Sequence, residues 1–195
     1  RKLRGGKNAD YYEISMRQLS EQILPAGMPP TTVWGYGAVT KSATSRGLAQ
    51  FWHAPSLTIE STWKRPVRIK WINELVDANG NYRPHLLPVD QTLHWANPPG
   101  GTMGRDMRPT FTETPRPYTG PVPIVTHLHG GHTHADSDGF TEAWYLPHAK
   151  NLPGGFARFG SEYLQFRAQA QARMGQAWTP GSAVFSTIKS GGNEF

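Results

Sequence analysis

The chain has 195 residues, enough for one domain of ordinary size with a hydrophobic core, plus a tail or an insertion. It contains eight histidines but no cysteine, which excludes disulfides, thiolate-bound metals and a thiol nucleophile within the chain. The formal net charge is +6 at pH 7, but the basic residues are scattered, and Arg68 and Lys70 alternate with apolar neighbours. We therefore expect no nucleic-acid partner.

No membrane span is expected, because no run approaches the roughly 18 apolar residues that a spanning helix needs. The first ten residues, RKLRGGKNAD, are basic without a following apolar segment, so they do not form an intact signal peptide. Hydrophobic residues make up 37% of the chain, which is low for a self-sufficient domain. Either long loops account for this value, or a partner chain or a further domain supplies part of the core.

Short apolar runs separated by 17 prolines and 21 glycines predict an all-β fold with long loops. Tyr12, Ile14 and Met16 alternate with polar residues and predict a half-buried strand. Three prolines within residues 25–30 disfavour a helix and separate this strand from a short aromatic one. Residues 40–55 are expected to form a loop.

The alternation of apolar and basic residues is clearest around Ile69. Val67, Ile69 and Trp71 are expected on one side of a strand, with the basic residues on the other side. The pair Asn79-Gly80 then predicts a turn.

Two further elements are predicted after residue 120. Residues 121–131, PVPIVTHLHGG, are expected to form a strand that paired glycines end. Residues 161–175 are the one convincing helix, since Ser161 can cap its start and Gly175 can end it.

Four of the eight histidines lie between residues 127 and 134. His127 and His129 are two apart on the predicted strand, so both imidazoles are expected on the same side. Two such rings can chelate one ion or bind separate ions of a close cluster, and neutral imidazole is a usual ligand of copper and zinc. The alternative is that this short spacing is accidental. His132 and His134 follow the glycines and are interpreted as solvent-facing loop residues.

The remaining histidines each lie beside a proline or a tryptophan and are expected to pack or to face solvent: His53, His85, His94 and His148. Asp136 and Asp138 could cap a turn, serve a proton-transfer step or be solvated. Their spacing does not decide among these roles.

Four blocks, in this order, resemble the bacterial multicopper oxidases: YYEISMRQL…PPTTVWGYG, RIKWINEL, HLLPVDQTLHWANPP and THLHGGHTHADSDGFTEAWY. The resemblance is to the branch of spore-coat laccase, bilirubin oxidase and phenoxazinone synthase, and it covers about residues 10–147. It implies a cupredoxin-like Greek-key β-barrel, the first of three such domains. It also implies an enzyme that couples one-electron oxidation of phenolic or similar reducing substrates to four-electron reduction of O2.

The same resemblance implies roles for three residues. His127 would bind the type 2 copper of a trinuclear cluster, and His129 would bind one of its type 3 coppers. Asp138 would assist proton delivery near the dioxygen site. These roles agree with the interpretation of the residues themselves, because a carboxylate near bound oxygen suits a reaction that consumes protons.

The chain departs from the family pattern in its ligands. The family needs four His-x-His pairs and a cysteine for its type 1 copper, whereas this chain has one good pair and no cysteine. The partners expected are therefore the C-terminal remainder of the same oxidase, O2 and a small reducing substrate. That remainder could be a second chain, a cleaved fragment or a continuation of this one.

The expected organisation is an N-terminal arm over residues 1–10 and a cupredoxin-like domain over 11–150. Residues 151–195 would form a loop and helix insertion that leads towards the missing second block of copper ligands. A secreted, periplasmic or spore-coat-like location is favoured over a cytoplasmic one, without a residue pattern that decides among them.

Two other hypotheses stay open. The chain could be a non-catalytic copper-binding or structural cupredoxin module. It could also be a mononuclear zinc or iron enzyme that uses His127, His129 and a third local histidine such as His134. Metal analysis separates the latter from a copper protein.

Overall fold

The structure is a computed structural model that describes residues 10–38, 51–56, 58–63, 65–91, 98–100, 112–114, 116–130, 139–174 and 187–188. Its strands are β1 (Asp10–Glu21), β2 (Thr31–Ala38), β3 (Trp52–His53), β4 (Val67–Asn73) and β5 (Thr187–Ile188). Helix α1 spans Tyr163–Met174, and short 3-10 helices lie at Pro98–Gly100 and Thr141–Ala143. The prediction of an all-β fold with one short helix near the C-terminus is confirmed.

The five strands form one mixed sheet in the order β3-β2-β1-β4-β5. Strand β1 pairs antiparallel with β2 and parallel with β4, while β4 pairs antiparallel with β5. Within the residues that the structure describes, the sheet is open and does not close into a barrel. This mixed arrangement is consistent with a cupredoxin-like fold.

The two segments with the strongest alternation are strands, as predicted, and the structure places them side by side as β1 and β4 within the sheet. Ile14 of β1 packs with Val67 and Ile69 of β4 in a buried cluster, and Tyr12 and Trp71 cover it. Burial of alternate apolar residues favours this strand register over one shifted by a residue, which would turn the whole apolar set towards solvent.

A second buried cluster joins the sheet to a later part of the chain. Met16 of β1 packs with Leu75 and Val122, and Trp34 and Ile124 lie against them. Because Val122 lies five positions before His127, this cluster fixes the start of the segment that carries the two histidines.

The predicted turn at Asn79-Gly80 is confirmed. Gly80 has a φ of +81°, and the carboxylate of Asp77 accepts hydrogen bonds from the backbone N–H groups of Asn79 and Asn81, both at 2.9 Å. A side chain that accepts from its own following backbone stabilises such a turn locally.

One strand lies in the region expected to be loop. Strand β3 pairs Trp52 with Gly37 and His53 with Tyr36. A Cβ atom on Gly37 would lie 2.1 Å from the carbonyl oxygen of Phe51, so only glycine allows this approach of the two backbones. The expectation of loop throughout residues 40–55 is wrong at this point, and residues 39–50 lie outside the described part of the chain.

The strand predicted over residues 121–131 is wrong in the part that is described. Residues 121–130 make a single antiparallel bridge, in which Ile124 and Tyr145 exchange backbone hydrogen bonds of 3.1 Å each. Pro121 and Pro123 have no N–H to donate, which prevents a continuous ladder on either side of Val122.

Helix α1 is confirmed, with a different start. It begins at Tyr163, and the hydroxyl of Ser161 donates to the Glu142 carboxylate at 3.4 Å instead of capping the helix. Gly175, predicted to end the helix, lies outside the described residues. The helix packs through Phe166, whose ring stacks on Phe140 with 5.4 Å between centroids. No helix in the described ranges is both long and apolar enough to span a bilayer.

Candidate metal centre

Residues 121–130, which we call the histidine segment, are attached to the sheet by the side chain of Asn73. Asn73 is 2% exposed at the end of β4. Its amide nitrogen donates to the carbonyl oxygens of Val122 at 2.9 Å and of Tyr145 at 3.2 Å, and its Oδ1 accepts from the N–H of Leu75 at 3.2 Å. One buried amide thus forms hydrogen bonds with three backbone positions. Two of them, Val122 and Tyr145, belong to the two paired segments that lead to the histidines.

The attachment continues to the residue immediately before the first histidine. Thr126 Oγ1 and the Tyr145 hydroxyl lie 2.9 Å apart in a hydrogen bond. The Tyr145 ring is buried against Tyr163 of α1, with 5.7 Å between ring centroids. Burial raises the pKa of Tyr145 well above its ordinary value, and the hydrogen bond with Thr126 opposes this rise. The tyrosine therefore stays neutral at physiological pH.

Beyond Thr126, the two histidines turn their rings outward. His127 and His129 are both exposed, and their ring centroids lie 5.8 Å apart at an interplanar angle of 39°. The two imidazoles therefore lie beside each other, as their spacing predicts, although the backbone that carries them is not part of the sheet. Rings at this separation can serve one ion or adjacent ions, and neutral imidazole is the donor type that copper favours.

His127 has a close neighbour that the sequence interpretation missed. Gly139 has a φ of +94°, and a Cβ atom built on it would lie 2.8 Å from His127 Cβ, 3.0 Å from Cγ and 3.4 Å from Nδ1. Asn73 was missed as well. Gly139 ends the Asp-Ser-Asp-Gly stretch, but only the carboxylates of that stretch suggested a functional role. No sequence pattern pointed to Asn73, a single asparagine in WINEL.

Several candidate residues lie outside the described part of the chain: His94, His132, His134, Asp136 and Asp138. Within the residues that are described, no group of three or more histidine, aspartate or glutamate side chains could hold a metal ion. The His127–His129 pair therefore fits copper in donor type but supplies only two of the ligands that an ion needs.

The isolated histidines in the described part of the chain pack or face solvent, as expected, while His94 lies outside it. His85 lies between the rings of Trp34 and Tyr118, each 5.8 Å from it, and burial lowers the pKa of its imidazole. His53 lies 2.5 Å from the Glu21 carboxylate, and His148 is exposed.

Comparison with known proteins identifies the class to which this all-β domain with its pair of imidazoles belongs. The chain is 32% identical over 139 residues to a laccase of Bacillus subtilis (strain 168), which is 71% of this chain and 20% of that protein. It is 31% identical over 135 residues to a laccase of Bacillus stratosphericus, which is 69% of this chain and 19% of that protein. No family model matches the chain.

A plant protein shows the same similarity. The chain is 33% identical over 138 residues to multicopper oxidase LPR1 homolog 3 of Oryza sativa subsp. japonica, covering 71% of this chain and 18% of that protein. The chain belongs to the multicopper oxidase family. It spans about one fifth of the length of these relatives.

Proposed function

We propose that the chain is the N-terminal part of a laccase-like multicopper oxidase. The whole protein would couple one-electron oxidation of phenolic or similar small reducing substrates to the four-electron reduction of O2 to water. The observation that carries this proposal is the exposed pair of adjacent imidazoles at His127 and His129. Membership of the multicopper oxidase family supports it.

The proposed metal roles follow the family pattern. His127 would bind the type 2 copper and His129 a type 3 copper of a trinuclear cluster. Bound copper would supply the one-electron redox chemistry, while the chain's own residues would hold and orient the ligands. Since this chain has no cysteine, the type 1 copper belongs to the remaining polypeptide, which would also complete the trinuclear site.

Asp138 is proposed to carry protons to the oxygen-reducing site. A reaction that forms water from O2 consumes four protons, which a carboxylate within reach can relay. The covalent structure supports this role, since Asp138 is bonded to Gly139, whose backbone lies against the His127 side chain. We also propose that residues 11–150 are the cupredoxin-like unit and that 151–195 lead from it towards the second ligand block.

The test replaces His127 by alanine in the full-length protein. We expect copper content to fall and O2 consumption with a phenolic substrate to be abolished, because the variant loses a cluster ligand. The matched control is His148→Ala, which removes another exposed imidazole and should leave both quantities unchanged. Copper is measured by mass spectrometry of the acid-digested protein, and O2 uptake by an oxygen electrode.

Each other outcome identifies a different function. Full O2 consumption by the His127→Ala variant would refute the assignment of the ligand. Copper bound by the wild-type protein without any O2 consumption would favour a copper-binding module without catalysis. Zinc or iron in place of copper would favour a mononuclear enzyme of another class.

A further inference from the structure

The contact between Gly139 and His127 has a consequence beyond the ligand assignment. In the described residues, other glycines also have positive φ, among them Gly27 at +97° and Gly130 at +87°. A Cβ atom on either of these would meet nothing within 4 Å, so their backbone conformation alone explains why they are glycine. At Gly139 a second reason is present, because a Cβ atom would collide with His127.

The collision involves the atoms at the base of the His127 side chain, whose positions determine the direction of the imidazole ring. The atoms of His127 nearest to the hypothetical Cβ are its own Cβ at 2.8 Å and Cγ at 3.0 Å, with Nδ1 at 3.4 Å. Rotation about the first side-chain torsion can move Cγ and Nδ1 away but leaves Cβ in place, so relieving the contact with Cβ requires a shift of the backbone. The ring is otherwise exposed, so the Gly139 backbone is a surface that limits its orientation.

We propose that Gly139 is a positioning residue for His127. The inference rests on the proposed function, in which His127 is a copper ligand. The absence of a side chain at Gly139 lets the imidazole lie against the backbone with its Nδ1 edge towards Gly139. This contact pre-orients the ring before metal binds and reduces the rotamer entropy that binding must remove.

The experiment compares Gly139→Ala with Gly27→Ala in the full-length protein. Both substitutions place alanine at a φ near +95°, so they share the backbone strain, but only the first brings a methyl group against His127. We expect Gly139→Ala to weaken copper retention against a chelator by about tenfold to a hundredfold, the usual effect of losing a group that orients a ligand. Gly27→Ala should retain copper as the wild type does.

Two further readouts separate ligand orientation from stability. The electron paramagnetic resonance spectrum of the cupric protein should change in Gly139→Ala and stay unchanged in Gly27→Ala, because only the first alters a ligand's direction. The melting temperature of Gly139→Ala should fall further than that of Gly27→Ala, because both share the strain of a positive φ and only the first adds the collision with His127. Equal copper retention and identical spectra in both variants would overturn the inference.

His127→Ala, measured in parallel, distinguishes the two possible failures. If it loses copper while Gly139→Ala does not, the positioning role is wrong and the proposed function stands. If His127→Ala keeps all its copper, the ligand assignment is wrong and the positioning role falls with it.

A measurement on the unmodified protein covers the case in which Gly139→Ala does not fold. Copper-free protein labelled selectively in glycine and histidine should show a nuclear Overhauser effect between the Gly139 α protons and the His127 β protons. Its absence would contradict the contact on which the inference depends.

Discussion

The central sheet and the histidine segment are held in place by different kinds of interaction. Strand β1 pairs with β2 from Ile14 to Glu21 and with β4 from Asp10 to Met16, so each of its residues lies opposite a partner on at least one side. Among the described residues, the histidine segment has one backbone bridge, at Ile124, and otherwise depends on side chains: Asn73 and Tyr145 form hydrogen bonds with it, and Val122 packs in the cluster of Met16 and Leu75. A ladder tolerates the loss of one bond, whereas an attachment by a few side chains does not. Single substitutions should therefore separate the two regions.

Replacing Asn73 by alanine should have the largest effect, because it removes the hydrogen bonds that join the histidine segment to the end of β4. The carbonyl of Val122 and the N–H of Leu75 would lose their buried partner, while the Tyr145 carbonyl would keep only its bond from the N–H of Ile124. Burial of unsatisfied groups of this kind lowers the free energy of unfolding by about 3 kcal/mol in total. Urea denaturation measures the change.

The control for this substitution is Asn79→Ala, at an exposed turn position where the backbone N–H, which alanine keeps, donates to Asp77. It should change the free energy of unfolding by no more than about 0.5 kcal/mol. Equal effects of the two substitutions would contradict the view that Asn73 holds the histidine segment.

Two buried tyrosines, Tyr145 and Tyr163, should make the folded protein less stable at alkaline pH. Burial raises the pKa of Tyr163 to about 12, from 10.0, and that of Tyr145 well above 10.0. Between pH 10 and 12 the unfolded chain therefore releases protons that the folded chain retains, and stability falls as pH rises. Each such group contributes a slope of about 1.4 kcal/mol per pH unit.

Tyr163→Phe tests this pH dependence, because it removes one titrating group and keeps the ring. The slope of unfolding free energy against pH, measured by urea denaturation between pH 10 and 12, should decrease by about 1.4 kcal/mol per unit. An unchanged slope would show that Tyr163 ionises in the folded protein as it does in the unfolded chain.

The contrast between the two regions also explains what could be predicted from sequence. Strands β1 and β4 were predicted because burial of alternate residues leaves a local period in the sequence. Strand β3 was not, since it depends on the approach of Phe51 to Gly37, which no local pattern records. The same holds for the histidine segment, where local apolar residues predicted a strand that its two prolines do not allow.

The candidate metal centre also has a part that the sequence predicts and a part that it does not. The rings of His127 and His129 lie close together, as their spacing of two residues predicted, although that prediction assumed a strand that does not form. Their support comes from Asn73, which is 49 positions before Val122 and 72 before Tyr145. Gly139 likewise contacts His127 only because the chain returns to it. Such long-range contacts depend on the whole fold, and one sequence without its structure does not reveal them.

A smaller effect is expected from the hydrogen bond between Thr126 and Tyr145, which lie 2.9 Å apart. Tyr145→Phe should lower the free energy of unfolding by about 1 kcal/mol, the usual net value of one such bond. The matched variant is Thr126→Val, which removes the other hydroxyl and keeps the shape of the side chain. In a double-mutant cycle, the combined variant should lose about 1 kcal/mol less than the sum of the two single changes. Strict additivity would show that the two hydroxyls do not stabilise each other.

The smallest effect is expected at the polar surface of the sheet. Arg17 Nε lies 2.6 Å from the Glu74 carboxylate, and its guanidinium carbon lies 3.8 Å from the centre of the Trp52 ring. The side chains of Arg17 and Glu74 are 39% and 30% exposed, so water screens their attraction and Glu74→Gln should cost about 0.5 kcal/mol or less. Thermal melts at low salt and at about 1 M salt provide the check, since screening should remove most of this difference. A loss of about 2 kcal/mol that persists in salt would mean that the sheet also depends on single side-chain contacts, and the contrast with the histidine segment would then fail.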